Sequence, residues 1–296
     1  MQELVITKPG CKEFAHELEN YLHLCAYGIE TGVVVRNPSF FAHHRFFTLV
    51  ARESRMTRLF SRLATCTRAI PLLRVAHALY ARYIFRSCAT CCVTAWRAPT
   101  FLPLSETLLK KVATGEQVYS YGWLFRHTKG LAPYRSQLLE AFKPARQVQD
   151  TIDQVIAPVA RTHTLIGVQV RQRPYTGFAD GTYLVHLSRV RTIIEEYLDM
   201  RRLDKKDVAL VIVSDEGVPA ELFADYTTFV SPEPEPTNLF LLAHCSVVIG
   251  ENGSYANLAA WFGDVPHIVT SESSIDWDHY KDKRRYFAND YLTLVR

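Results

Sequence analysis

Residues 165–175 read LIGVQVRQRPY, and the change of character along this stretch decides the fold. Leu165, Ile166, Val168 and Val170 make the near-continuous apolar run of a strand covered on both faces, as in the middle of a parallel sheet. Arg171 and Arg173 follow at once. Pro174, with a fixed φ and no N–H to give, forbids the strand to continue. A core strand that delivers guanidinium groups at its carboxyl end fits an α/β protein, in which ligands bind beyond the carboxyl ends of parallel strands.

Working outward, the pattern repeats. A helix is predicted over 187–201. VALVIVSD (208–215) is a second continuous apolar strand, ending in Ser214 and Asp215. A short helix is expected around Pro219–Phe223 and a strand at 227–230. The segment SPEPEP (231–236) reads as an extended acidic loop, and a helix over 237–245 opens with Thr237. Then come a strand at 246–250, a helix at 254–263 closed by Gly263 as its C-cap, and a last strand at 266–269. On the amino-terminal side the expectations are a strand at 3–7, a helix at 12–27 and a strand at 32–38. Mostly helical sequence follows over 40–95 with a break at Pro71, then a strand within 117–125, and helix again over 134–160 interrupted near Pro144. Strands alternating with helices predict parallel, doubly wound sheets. The chain has 296 residues, more than one core usually serves. The predicted division is an N-terminal domain over 1–155, carrying a helical insertion, and a C-terminal domain over 156–296.

Charge is modest overall, +4, but unevenly spread: residues 45–97 hold ten arginines and a single acid, Glu53. Two readings stay open, an exposed basic helical face or a surface for an anionic partner such as an acidic glycan or an anionic membrane. No nucleic-acid motif accompanies the arginines, so no nucleic-acid partner is expected. The most apolar stretch, 69–96, contains Arg74, Arg82 and Arg86 and does not read as a membrane span. The seven cysteines are an odd number, and the first ten residues have no basic-then-apolar leader pattern. Both point to reduced thiols and a cytoplasmic setting; peripheral attachment to the inner face of the membrane is the option that goes with the second reading of 45–97. Cys88, Cys91 and Cys92 cluster, but no second ligand pair matches them, so no metal is expected and the cysteines are read as mostly small buried side chains.

Three polar groups are placed at predicted strand ends: Arg171 and Arg173, then Ser214 and Asp215, then Glu251-Asn252-Gly253-Ser254. The last is also a helix start, where backbone N–H groups and the dipole favour an anion. Together they suit a nucleotide diphosphate, which the arginine would hold with paired donors. Each has a plainer alternative: a surface ion pair for Arg171, an N-cap for Asp215, an ordinary helix cap for Gly253-Ser254.

At these residues the chain resembles the α-1,2/α-1,6-fucosyltransferase-like glycosyltransferases. IGVQVRQRPYTGFADGTYLV is similar to their arginine-motif segment, and NLFLLAHCSVVIGENGSYANLAAWFGDVP to their second nucleotide-binding segment. The N-terminal KPGCKEFAHELENYLHLCAYGIETGVVVRNPSFF is similar to their first loop and helix. The resemblance implies a GT-B fold of two Rossmann-like domains. It implies an inverting, metal-independent transferase, without cofactor, that moves fucose from GDP-fucose as donor substrate to a glycan or glycolipid acceptor in polysaccharide biosynthesis. Arg171 matches the arginine that holds the β-phosphate and takes the catalytic role. Ser254 with its neighbours Asn252, Gly253 and Tyr255, and Tyr175 after the arginine, match donor-binding positions. Gln169 stands in place of the family's His, Pro174 in place of its Asp, and Gly10-Cys11-Lys12-Glu13 in place of its Gly-Asn-Gln loop. The acceptor hydroxyl needs a base, for which Asp180, His16 and Glu13 are the candidates. Alternative readings are a transferase for another nucleotide-sugar and a catalytically inactive GT-B binding or scaffold protein.

Overall fold

Parallel strands alternate with helices in two sheets, seen in a computed structural model that describes residues 3–8, 13–48, 53, 55–87, 91–93, 118–121, 125–127, 129–172, 186–270 and 274–281. The chain divides into two compact units, Met1–Ala145 and Arg146–Tyr291.

In the first unit, β1 (Glu3–Lys8) leads through α1 (Phe14–Thr31) to β2 (Val34–Arg36). Then come α2 (Arg55–Leu63), α3 (Ile70–Ser87), β3 (Cys91–Val93), β4 (Val118–Tyr121) and α4 (Arg135–Ala141). The strands lie in the order β2-β1-β4-β3, all parallel. Helix α1 buries more than apolar residues. Glu19 pairs with buried Arg126 at 2.8 Å, Asn20 Oδ1 accepts the Phe125 N–H at 3.2 Å, and His23 Nδ1 accepts the His127 N–H at 3.0 Å. The helix thus satisfies the chain at 125–127, whose buried N–H groups need acceptors. An aromatic cluster beside it joins Phe14, Tyr21, Phe40, Phe47 and Phe142, with Tyr21 and Phe142 edge to face at 5.0 Å.

Where the sequence predicts helix up to residue 95, Cys91–Val93 forms a strand beside β4. Pro71 does not break a helix. It sits in the first turn of α3, where its missing N–H has no intrahelical partner to lose, and the break falls earlier, between Leu63 and Ile70. Of the cysteines, Cys245 is buried, whereas Cys66 is exposed.

The second unit runs α5 (Arg146–Ala160), β5 (Thr164–Val170), α6 (Leu187–Arg201), β6 (Val208–Ser214), β7 (Thr227–Val230), α7 (Glu235–Ala243), β8 (Val247–Gly250), α8 (Ser254–Gly263), β9 (His267–Val269) and α9 (Trp277–Lys281). The sheet order is β7-β6-β5-β8-β9, all parallel, so the apolar strand that opened the sequence reading is the central one. Ile166, Val168 and Val170 share a core with Val190, Ile193, Ile194, Tyr197 and Leu198 of α6, and with Leu210, Ile212 and Ile249 of the neighbouring strands. Helix α7 starts two residues before the expected Thr237, because Pro236 is tolerated in a first turn. The expected glycine cap of α8 is displaced as well. Asp264 takes the left-handed conformation (φ 57°), while Gly263 is the last helical residue. Gly263 serves close approach instead: a Cβ there would lie 2.1 Å from the Ala243 carbonyl oxygen at the end of α7.

Candidate functional site

In the second unit the chain passes from β5 to β6 and β7 on one side, while β8 and β9 lie on the other. The carboxyl ends of β5 and β8 therefore flank the point where the strand order reverses, the usual ligand position in an open α/β sheet. Arg171 follows β5 directly and is half-buried. On the neighbouring strand Gly250 ends β8, and Glu251, Asn252 and Gly253 form the turn into α8.

Gln169 joins the two strand ends. Its Oε1 accepts the Glu251 N–H at 3.2 Å, and its side chain covers Gly250, where a Cβ would lie 2.9 Å from that same oxygen. Gly253 is the N-cap of α8, and no side-chain hydrogen bond caps the helix. Ser254 lies inside the first turn, so the Ser-cap alternative is not used. Tyr255 turns its hydroxyl away to a structural role, donating to the Glu235 carbonyl at 2.6 Å and tying α8 to the start of α7.

Ser214 and Asp215, at the end of β6, are engaged by a residue the sequence reading missed. The Gln172 N–H donates to Asp215 Oδ1 at 2.8 Å, and its side-chain amide donates to Ser214 Oγ at 3.2 Å and to the Gly217 carbonyl at 2.9 Å. Asp215 is thus a latch between strand ends and not an N-cap; the short helix at 220–223 begins after Pro219. A second missed pair lies behind α8, where His267 Nδ1 and Asn257 Oδ1 stand 2.7 Å apart. Burial pushes His267 down to about 4, against the carbonyls of Gly250 and Glu251 that favour its charge. The neutral ring donates to Asn257 and fixes the first turn of α8 on β9. The available signal was Asn257, the one amide in the mostly apolar helix SYANLAAWFG.

Arg173, Tyr175 and Asp180 lie outside the described residues. The remaining base candidates belong to the first unit and come together: Glu13 is the N-cap residue of α1, and its Oε2 is 3.1 Å from His16 Nδ1. They follow the carboxyl end of β1, which with β4 forms the reversal point of that sheet. His43 and His44 lie deeper in the same unit, 3.8 Å from Glu17 and 3.7 Å from Glu53. Burial outweighs these carboxylates and lowers the two rings to about 4 and about 3, helped for His43 by Arg74 and Arg45. Neither is a base for solution chemistry. Among the described residues no group of three or more His, Cys, Asp or Glu side chains could hold a metal ion, and no helix is long and apolar enough to cross a membrane.

No protein-family model matches the sequence, and no curated protein matches it at a significant level. Solved structures do. POFUT1 in complex with GDP-fucose superposes with a TM-score of 0.52 at 9% identity, over 91% of this chain and 98% of that one. A second crystal form gives 0.51 at 10% identity, over 90% and 97%. A mutant of Arabidopsis thaliana FUT1 in complex with GDP gives 0.50 at 11% identity, over 90% and 70%. The fold is that of these fucosyltransferases. The GT-B expectation is borne out, and the chain is glycosyltransferase-like in fold although sequence comparison does not reach it.

Proposed function

We propose that the chain binds a GDP-sugar and transfers the sugar, fucose, to a glycan or glycolipid hydroxyl. The observation that carries this reading is the position of Arg171, at the end of the central strand and beside the β8–α8 turn, at the reversal point of the sheet. One neighbour with this fold, POFUT1, was solved with GDP-fucose in two crystal forms, and the plant FUT1 mutant with GDP.

In the proposed reaction the acceptor oxygen attacks the anomeric carbon with inversion. The new C–O bond forms as the bond from that carbon to the β-phosphate oxygen breaks, and GDP leaves. Arg171 meets the charge developing on the β-phosphate, a contribution worth roughly 3 kcal/mol of barrier for one well-placed group. The N-terminal N–H groups of α8 add donors from the other side of the reversal point. The acceptor proton needs a base, and in the first unit the described candidate is the Glu13–His16 pair, in which the carboxylate orients the ring. No metal takes part in this scheme, since fixed cationic and N–H groups stabilise the leaving diphosphate.

Calorimetric titration of GDP, with UDP and ADP as controls and no divalent metal, tests the reading. Wild type should bind GDP in preference to the others, and Arg171→Ala should bind roughly tenfold to hundredfold more weakly, the loss of a charge-assisted pair. Absence of binding by wild type for every nucleotide would overturn it. GDP binding without transfer to any acceptor would favour the inactive binding-protein reading, as the altered Gly10–Glu13 loop and Pro174 do.

A further inference from the structure

Helices α2 and α3 of the first unit carry apolar side chains on their outer faces as well as their inner ones. On α2 the buried side chains include Thr57 and Ser61, with Ser61 Oγ 3.2 Å from His44 Nδ1, while Leu59 and Leu63 are exposed. On α3, Leu73 and His77 turn inward, Leu73 in a small core with Phe41 and Ala64, and the His77 ring against Phe41. Leu72, Val75, Leu79 and Tyr83 are exposed at 72, 58, 64 and 70%. Their spacing of three, four and four residues places them in one stripe along the helix. Arg55, Arg58, Arg62 and Arg68 are exposed on α2 and in the connection to α3. The one acid of residues 45–97, Glu53, is buried, where it accepts from the Tyr21 hydroxyl at 2.9 Å and the Asn37 N–H at 3.0 Å. The segment therefore shows solvent arginines and apolar side chains without a compensating negative charge of its own.

We propose that this face docks on an anionic lipid surface, with the Leu72–Tyr83 stripe in the acyl boundary and the arginines among the headgroup phosphates. A bilayer offers apolar material beneath a layer of negative charge, and long arginine side chains can reach that layer while apolar neighbours sit deeper. No described helix could cross a membrane, so the geometry is one of lying on the surface. A protein partner would need an apolar groove rimmed by acids on a matching helical repeat. The face belongs to the first unit and is independent of the nucleotide reading.

Sedimentation of the full chain with vesicles tests this. Vesicles of phosphatidylcholine alone are compared with phosphatidylcholine mixed with phosphatidylglycerol, each at low and high salt. Wild type should bind the mixed vesicles and not the neutral ones, and salt should weaken the binding. Each arginine removed in Arg58→Gln/Arg62→Gln should lower partitioning roughly fivefold, and Leu72→Gln/Leu79→Gln should also release the protein. These side chains are exposed, so both variants should melt with wild type. Arg58→Lys/Arg62→Lys keeps the charge and should still bind, which separates lost charge from lost structure. Equal binding to neutral and anionic vesicles, no binding, or variants indistinguishable from wild type would each overturn the proposal. So would a lipid-free dimer of wild type that Leu72→Gln/Leu79→Gln dissociates, since a second copy would then be the occupant.

Discussion

Replacing Gln169 by Leu probes the joint on which the candidate site depends. The substitution keeps the approximate volume and removes the Oε1 acceptor, so the Glu251 N–H loses its partner in a residue only 4% exposed. An orphaned buried donor costs about 1–3 kcal/mol. The apolar gain of Leu at a half-buried position returns up to about 1 kcal/mol. The net expectation is a local loss of about 1–2 kcal/mol at the β8–α8 turn. Gln172→Leu is the internal control. It also removes a glutamine amide at the end of β5, but its bonds to Ser214 and the Gly217 carbonyl are close to water that can replace them, and the Gln172 N–H bond to Asp215 survives. Hydrogen–deuterium exchange of the peptide spanning 247–255 reads the difference directly. Gln169→Leu should speed exchange at the Glu251 amide by roughly tenfold, the equivalent of about 1.4 kcal/mol, and Gln172→Leu should leave it unchanged. GDP affinity should fall in step, because the turn that presents Asn252 and Gly253 has lost its anchor. Unchanged exchange in Gln169→Leu, or an equal effect of Gln172→Leu, would refute the claim that this side chain fixes the two strand ends.

Two further outcomes follow from packing and burial. Gly263→Ala puts a methyl 2.1 Å from the Ala243 carbonyl oxygen, a backbone atom that can move only with its helix. The overpacking cost, at the upper end of about 1–3 kcal/mol for so short an approach, exceeds the gain of about 1 kcal/mol that Ala brings to a helix, and urea unfolding should show a net loss of about 1–2 kcal/mol. Gly217→Ala, with nothing within 4 Å, should be near neutral, and a stable Gly263→Ala would contradict the close approach. Acidification should strike the first unit before the second. His43, His44 and His77 there are lowered to about 4, 3 and 4, against His267 alone in the second. Each is protonated in the unfolded chain from about pH 6.5 downward but stays neutral when folded until its lowered pKa. The stability each contributes is complete above pH 6.5 and is lost as the pH falls through that window, at about 1.4 kcal/mol per pH unit for each ring. Hydrogen exchange near pH 5 should therefore open α1–α3 ahead of β5–β8, and uniform opening would contradict the assignment.

The second unit was legible because its inner strands are covered on both faces, and such strands announce themselves as apolar runs: β6 (Val208–Ser214) and β8 (Val247–Gly250) lie within one residue of the bounds expected at 208–215 and 246–250. What failed there was chemistry at a close contact. A glycine after an apolar helix reads as a cap, and only the backbone of α7 reveals that Gly263 is needed for space. In the first unit the periodic signal is weaker. Glu19, Asn20 and His23 interrupt the apolar face of α1, since that face satisfies a buried backbone segment and not only a greasy surface. Helices α2 and α3 carry apolar residues on both the inner and the outer face, and periodicity cannot tell which face of such a helix turns inward. Of the candidate site, Arg171 and the Gly253 turn were placed by strand-end logic alone. Gln172 was invisible because its partner Asp215 lies 43 residues away, and Asn257 marks a buried polar contact in α8 without naming His267, 10 residues on, as the other half.

Position, rather than residue type, distinguishes Arg171 from Arg126, Arg45 and Arg191. Arg126 is buried, and burial opposes its charge, so Glu19 at 2.8 Å must hold it; a ligand could take that arginine only by leaving a buried carboxylate alone. Arg45 reaches the Ala64 and Thr65 carbonyls just past the end of α2, where a cation complements the helix dipole. Arg191 grips both oxygens of Asp225 at 2.8 and 2.7 Å, with Lys205 on the same carboxylate, which drives that carboxyl well below its usual range. Each of these guanidiniums is assigned by its neighbours to holding its own unit together. Arg171 is assigned by register: Val170 pairs with Ser214 as the last rung of the β5–β6 ladder, so the next residue leaves the sheet at its carboxyl edge beside the β8–α8 turn. A slip of one residue in β5 would turn Ile166, Val168 and Val170 out of their core. The packing that fixes those three side chains therefore also fixes where the guanidinium emerges, and the apolar half of LIGVQVRQRPY sets the position of its charged half.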